Sequence, residues 1–99
     1  MFVGRSVKEG KESMAEHDLK TWPEFFEAVE SGRKTFEVRY NDRDYQVGDV
    51  LRLREWSPKT QAYSGRETHQ LVTYTMSDRF GVDSDWIIMG MKSMPVISG

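Results

Sequence analysis

The stretch Thr21-Trp22-Pro23-Glu24-Phe25-Phe26-Glu27-Ala28-Val29-Glu30-Ser31-Gly32-Arg33-Lys34-Thr35-Phe36-Glu37-Val38-Arg39-Tyr40 changes its hydrophobic period once, and that change decides the fold. Before Gly32, the residues Trp22, Phe25, Phe26 and Val29 recur at i, i+3, i+4 and i+7, on one face of a helix. Glu24, Glu27 and Glu30 take the wet side. Thr21 and Glu24 have the spacing of a capping box, and Pro23 falls in the first turn, where a missing N–H costs nothing. Gly32 is the expected left-handed stop, so the spacing predicts a helix over residues 22–31. After Gly32 the period drops to two. Phe36, Val38 and Tyr40 fall on one face of a predicted strand, and Thr35, Glu37 and Arg39 on the other.

Working outward, Glu16-His17-Asp18-Leu19-Lys20 is a short strand candidate ahead of the helix. Downstream, Asn41-Asp42-Arg43-Asp44 is a turn cluster. Val47-Gly48-Asp49 leads into a strand at Val50–Trp56, with Leu51 and Leu53 toward the core and Arg52 and Arg54 outward. A turn at Ser64-Gly65 precedes a strand over about residues 67–76, and residues 77–85 form a loop. Trp86–Met91 is apolar on both faces, the pattern of a buried strand. Residues 1–15 and 93–99 are expected to be flexible tails around one domain at residues 16–92. The expected class is α+β, mainly β. It has one main helix near the N-terminus and about five to six strands curled into a small pseudo-barrel, which limits exposed edges.

Ninety-nine residues suffice for one core and no second. The absence of cysteine excludes a disulfide scaffold and any thiolate metal site. No apolar run reaches the roughly 18–20 residues that span a bilayer, and Met1–Gly10 carries charges where a leader's apolar segment would sit. The expectation is a cytoplasmic monomer with no membrane or metal partner and no cofactor. The net charge is −2, but it is unevenly spread: −3 over Met1–Ser31, +2 over Gly32–Arg54 and −1 over Glu55–Gly99. Only the middle third is a candidate anion-facing surface.

Common catalytic spacings are missing. There is no Gly-x-Ser-x-Gly elbow, no phosphate loop and no His-x-x-x-His pair. The Asp42-Arg43-Asp44 turn is not a calcium loop, because Val47 stands where glycine is needed and Leu53 where the closing glutamate belongs. What remains is Lys34, Glu37 and Arg39. A fork-shaped guanidinium, a carboxylate and an ammonium in this spacing can hold a polar planar or anionic ligand, with Glu37 accepting from an amine or hydroxyl. The alternative is an ordinary Glu–Arg ladder on a solvated strand face. Trp56 shares its strand face with Arg52 and Arg54 and is the ring expected to be most exposed, whereas Trp22 belongs to the helix's core face.

Several of these strings occur together: His17-Asp18-Leu19-Lys20, Trp22-Pro23-Glu24-Phe25-Phe26, Gly32-x-Lys34-x-x-Glu37-x-Arg39, Val47-Gly48-Asp49 and Leu53-Arg54-Glu55-Trp56. With Tyr63-Ser64-Gly65-Arg66-Glu67 and Trp86–Met91, they resemble a phage and bacterial family of small uncharacterised proteins in the ASCH branch of the PUA-like superfamily. The resemblance implies a small β-barrel with a cleft beside the motif and an RNA-related role. One ASCH branch hydrolyses the acetyl amide of N4-acetylcytidine with a Lys and a Thr. Lys34 matches that Lys, and Glu37 stands at the Thr position, so the hydroxyl nucleophile is missing there.

The leading expectation is an RNA-, nucleotide- or modified-base-binding module. Lys20, Lys34, Glu37, Arg39, Arg54, Trp56 and Arg66 are its candidate ligand contacts. A metal-independent hydrolase of a modified nucleoside or RNA is the second reading, with Lys34 and Glu37 as the acid–base pair. The third is a phage factor that engages a host protein, using the acidic helix face of Glu24, Glu27 and Glu30.

Overall fold

The computed structural model describes residues 15–95. The tail expected at residues 1–15 lies outside that range apart from Ala15, as do residues 96–99 of the tail expected at the other end. The elements are β1 (Glu16–Thr21), α1 (Pro23–Glu30), β2 (Phe36–Tyr40), β3 (Val50–Ser57), β4 (Ala62–Met76) and β5 (Trp86–Ser93). The final strand thus continues two residues beyond the predicted Trp86–Met91.

All five strands join one sheet in the order β1-β3-β4-β5-β2. β1 runs parallel to β3, in register from Glu16↔Val50 to Thr21↔Glu55, and the other pairings are antiparallel. The chain is therefore mainly β with one helix, as expected. Two irregularities on β4 bend the sheet. Between Arg54↔Glu67 and Trp56↔Tyr63, β4 advances four residues while β3 advances two, and Gly65 absorbs the excess at φ +97°. The predicted turn at Ser64-Gly65 is this bulge inside a longer strand. A second bulge lies between Val72 and Tyr74. Bulges increase local twist, and the sheet curls into a half-barrel. Its concave side is filled by a cluster that includes Leu19, Leu51, Leu53, Val72, Ile87 and Met89.

The helix ends as its sequence requires. Gly32 takes φ +82°, its N–H donates to Val29 O, and the Arg33 N–H donates to Ala28 O, which makes a Schellman stop. The start differs from expectation. Thr21 is the last residue of β1, and its hydroxyl donates to Leu19 O at 3.3 Å, so no capping box forms and Trp22 is the N-cap without a side-chain bond. Of the apolar stripe, Phe26 and Val29 are buried, but Trp22 and Phe25 stand nearly half exposed. Arg66 explains part of the packing, since its guanidinium lies 4.9 Å from the Phe26 ring centroid and reaches Glu27 on the same helix.

The structure also orients β2. Its alternation is real, but the polar face is the inner one. Glu37 is 4% exposed, whereas Phe36, Val38 and Tyr40 are each about half exposed. Among the described residues β2 is an edge strand paired only with β5, and its inner face meets the other edge of the curled sheet rather than the apolar filling. There Arg39 Nη2 donates to Lys20 O at 2.9 Å, and Arg43 Nη1 donates to Asp18 O at 3.1 Å. Two guanidiniums thus occupy alternate carbonyls of β1, and side chains join the edges where no backbone ladder does.

Val47-Gly48-Asp49 has a structural role on the other side of β1. The Asp49 carboxylate accepts from the buried His17 ring at 2.9 Å and from the Gln46 N–H at 3.0 Å. The Tyr45 ring packs on His17 with centroids 4.7 Å apart. This cluster pins β1 to the turn that enters β3.

Candidate functional site

The seam between the two edges opens into a cavity of about 480 Å³, within the roughly 300–1,000 Å³ of small-molecule sites. Its charged part is built from one turn and one strand. The Schellman stop at Gly32 reverses the chain, and the Lys34 N–H bonds to Ala28 O, which sets Lys34 against the start of β2. Lys34 Nζ then donates to Phe36 O and to Glu37 Oε1, both at 2.9 Å. Two residues further on, Arg39 Nε donates to Glu37 Oε2 at 2.7 Å, with Nη2 equally close to that oxygen. Nη2 also reaches Thr21 Oγ1 at 3.4 Å. The buried carboxylate is therefore held by a cation on each oxygen, the arrangement that offsets the cost of burying it.

Two aromatic pairs from different elements line the same cavity. Trp22 and Phe25, at the start of α1, are nearly parallel at 22° with centroids 6.3 Å apart. Tyr40 and Trp86, register partners at the ends of β2 and β5, meet edge to face at 5.5 Å. Lys20 lies on the rim, its ammonium 4.4 Å from the Trp56 ring centroid.

Of the seven residues singled out from sequence, Lys20, Lys34, Glu37 and Arg39 converge on this cavity. Arg54, Trp56 and Arg66 do not line it. Arg54 lies 4.0 Å from the Tyr63 ring centroid, Trp56 is half-buried beneath Lys20, and Arg66 ties β4 to α1. Sequence reasoning did not name Trp22, Phe25, Tyr40 and Trp86 as cavity residues: periodicity assigned Trp22, Phe25 and Trp86 to the core and placed Tyr40 on a strand face without orienting that face. Pro23 was the available signal: it starts the helix immediately after β1, which leaves Trp22 at the junction. Among the described residues, no group of three His, Asp or Glu side chains could hold a metal ion. No helix among them is long and apolar enough to cross a membrane.

Fold and site together define a small β half-barrel with one helix and an aromatic cleft over a buried, doubly clasped carboxylate. The chain belongs to the family described as Domain of unknown function (DUF3850), which it matches over residues 16–91. It is also similar to "Uncharacterized 12.9 kDa protein in GpA 3'region" of Escherichia phage P2, at 34% identity over 71 residues, covering 72% of this chain and 59% of that protein. The chain thus spans 59% of the length of that curated relative. The family match includes every cavity residue named above, and the expected kinship with small phage proteins holds.

Proposed function

We propose that the chain is a nucleic-acid- or nucleotide-binding module that takes a base of RNA, or a modified base, into the cleft beside Glu37. One observation carries this reading: two aromatic pairs and three cations line a single cavity whose only acid among the described residues is already neutralised. Base stacking on aromatic rings contributes about 1–3 kcal/mol per base, and Lys20 on the rim is placed to supply a phosphate contact. Membership of the ASCH branch of the PUA-like superfamily, suggested by the Gly32-to-Arg39 and Val47-to-Asp49 strings, belongs to the same reading.

Binding is favoured over hydrolysis by the state of Glu37. Each of its oxygens accepts from a fixed cation, so its lone pairs serve the protein's own architecture rather than a substrate proton. The test is a titration of short single-stranded RNA and of free nucleotides, followed by tryptophan fluorescence and calorimetry at low salt and then at rising salt. Saturable quenching with log affinity falling as log salt rises is the expected result. Absence of binding at low salt overturns the proposal. Turnover of N4-acetylcytidine that disappears in Lys34→Ala replaces it with the hydrolase reading.

A further inference from the structure

We infer that the cleft selects bases by a keto edge, taking guanine and uracil ahead of adenine and cytosine; this rests on the base-binding reading above and deepens it. The argument is an inventory of hydrogen-bonding groups at the charged end of the cavity. Lys34 has three N–H donors and spends two, on Phe36 O and Glu37 Oε1. Arg39 spends Nε on Glu37 and Nη2 on Lys20 O and Thr21 Oγ1, and its Nη1 has no acceptor among the described residues. The side-chain acceptors are already engaged within the protein and, for Glu37, screened by burial. Both Glu37 oxygens receive a cation's N–H, the side chain is 5% exposed, and the Thr21 hydroxyl already donates to Leu19 O. The indole N–H groups of Trp22 and Trp86 are donors only, which leaves the Tyr40 hydroxyl as the side-chain group able to turn and accept.

An entering base edge therefore meets N–H groups from Lys34 and Arg39. Guanine offers O6 and N7 as acceptors, the pair that arginine or lysine reads most often, and uracil offers O4. Adenine N6 and cytosine N4 stand where guanine O6 and uracil O4 stand, so a base seated by that edge sets donor against donor, while cytosine's own keto oxygen, O2, lies beside the glycosidic bond, away from that edge. The doubly held Glu37 thus does not receive an exocyclic amine. It fixes the two cations that read the base.

The test uses the intact protein and four 5′-monophosphates, GMP, UMP, AMP and CMP, with IMP and ribose 5-phosphate as controls. IMP keeps O6 and N7 without guanine's amine, and ribose 5-phosphate has no base. GMP, UMP and IMP are expected to bind at least about tenfold more tightly than AMP and CMP, and ribose 5-phosphate more weakly than GMP, UMP or IMP. AMP and CMP binding as well as GMP overturns the inference while leaving base binding intact. Ribose 5-phosphate binding as well as GMP overturns it by assigning the donors to phosphate. No binding by any nucleotide overturns this inference, and the base-binding reading falls with it only if short single-stranded RNA also fails to bind at low salt. In Lys34→Met, which leaves the Arg39 link between the edges in place, the keto preference should shrink severalfold. A preference left whole in both Lys34→Met and Arg39→Gln overturns the assignment of the reading groups.

Discussion

Arg39 on one edge of the sheet donates from Nη2 to the carbonyl oxygen of Lys20 on the other, at 2.9 Å. This guanidinium thus both clasps Glu37 and, together with Arg43, joins the two edges of the half-barrel. Its planar fork suits both, since one side faces the carboxylate and another the β1 carbonyl. The cleft lies where the sheet fails to close by backbone bonds, so what stabilises the seam also shapes the site.

Replacing Arg39 by Ala should cost about 3 kcal/mol of stability, because it leaves Glu37 buried with one cation instead of two and frees a β1 carbonyl. Arg39→Lys should recover only part of this, since an ammonium cannot span both acceptors as a fork does. Urea unfolding measures it. A loss under about 1 kcal/mol for Arg39→Ala would mean that the clasp contributes no more than an exposed ion pair.

Two aromatic residues on one helix should respond oppositely. Phe26 is fully buried, and Phe26→Ala should destabilise the fold by about 3–5 kcal/mol. Trp22 is nearly half exposed in the cleft, so Trp22→Ala should change stability little and weaken nucleotide binding about tenfold. Paired unfolding and binding curves decide; equal stability losses would return Trp22 to the core.

Gly32→Ala should cost about 1 kcal/mol. A Cβ there meets nothing within 4 Å, so the whole cost is the positive φ of the helix stop. Gly32→Asn should recover part of it, as asparagine tolerates the left-handed region better. Thermal melts of the three proteins test this order.

Burial raises the Tyr45 phenol above its ordinary value of 10.0, with Arg43 and Arg39 pulling the other way. The folded state therefore holds this proton more tightly than the unfolded chain. The resulting stability is complete below the ordinary tyrosine range and is lost as pH climbs through the folded value. Ultraviolet titration should find the Tyr45 phenol ionising late. Tyr45→Phe should remove that step and flatten the alkaline fall in stability.

Much of the fold was legible because local rules act at short range. Pro23 and Gly32 bracket the helix, and the alternation of Leu51 and Leu53 was read with the correct face inward. The capping box failed because Thr21 was claimed first by β1, where its register with Glu55 turns the hydroxyl toward Leu19 O. Trp22 and Phe25 matched a core stripe, yet a periodic pattern cannot say how far the neighbouring sheet extends beneath each turn.

On its own, the sequence determined the helix and its stop, the two faces of β2, and the grouping of Lys34, Glu37 and Arg39 on a turn and one face. These follow from backbone geometry and side-chain spacing over a few residues. Only the tertiary structure decided which face of β2 turns inward. A period of two distinguishes faces without orienting them, and the orientation depends on two edge strands, remote in sheet order, that the bulged β4 curls toward each other. That meeting buries a glutamate between two cations, leaves Phe36, Val38 and Tyr40 half exposed, and gathers aromatic residues around the gap.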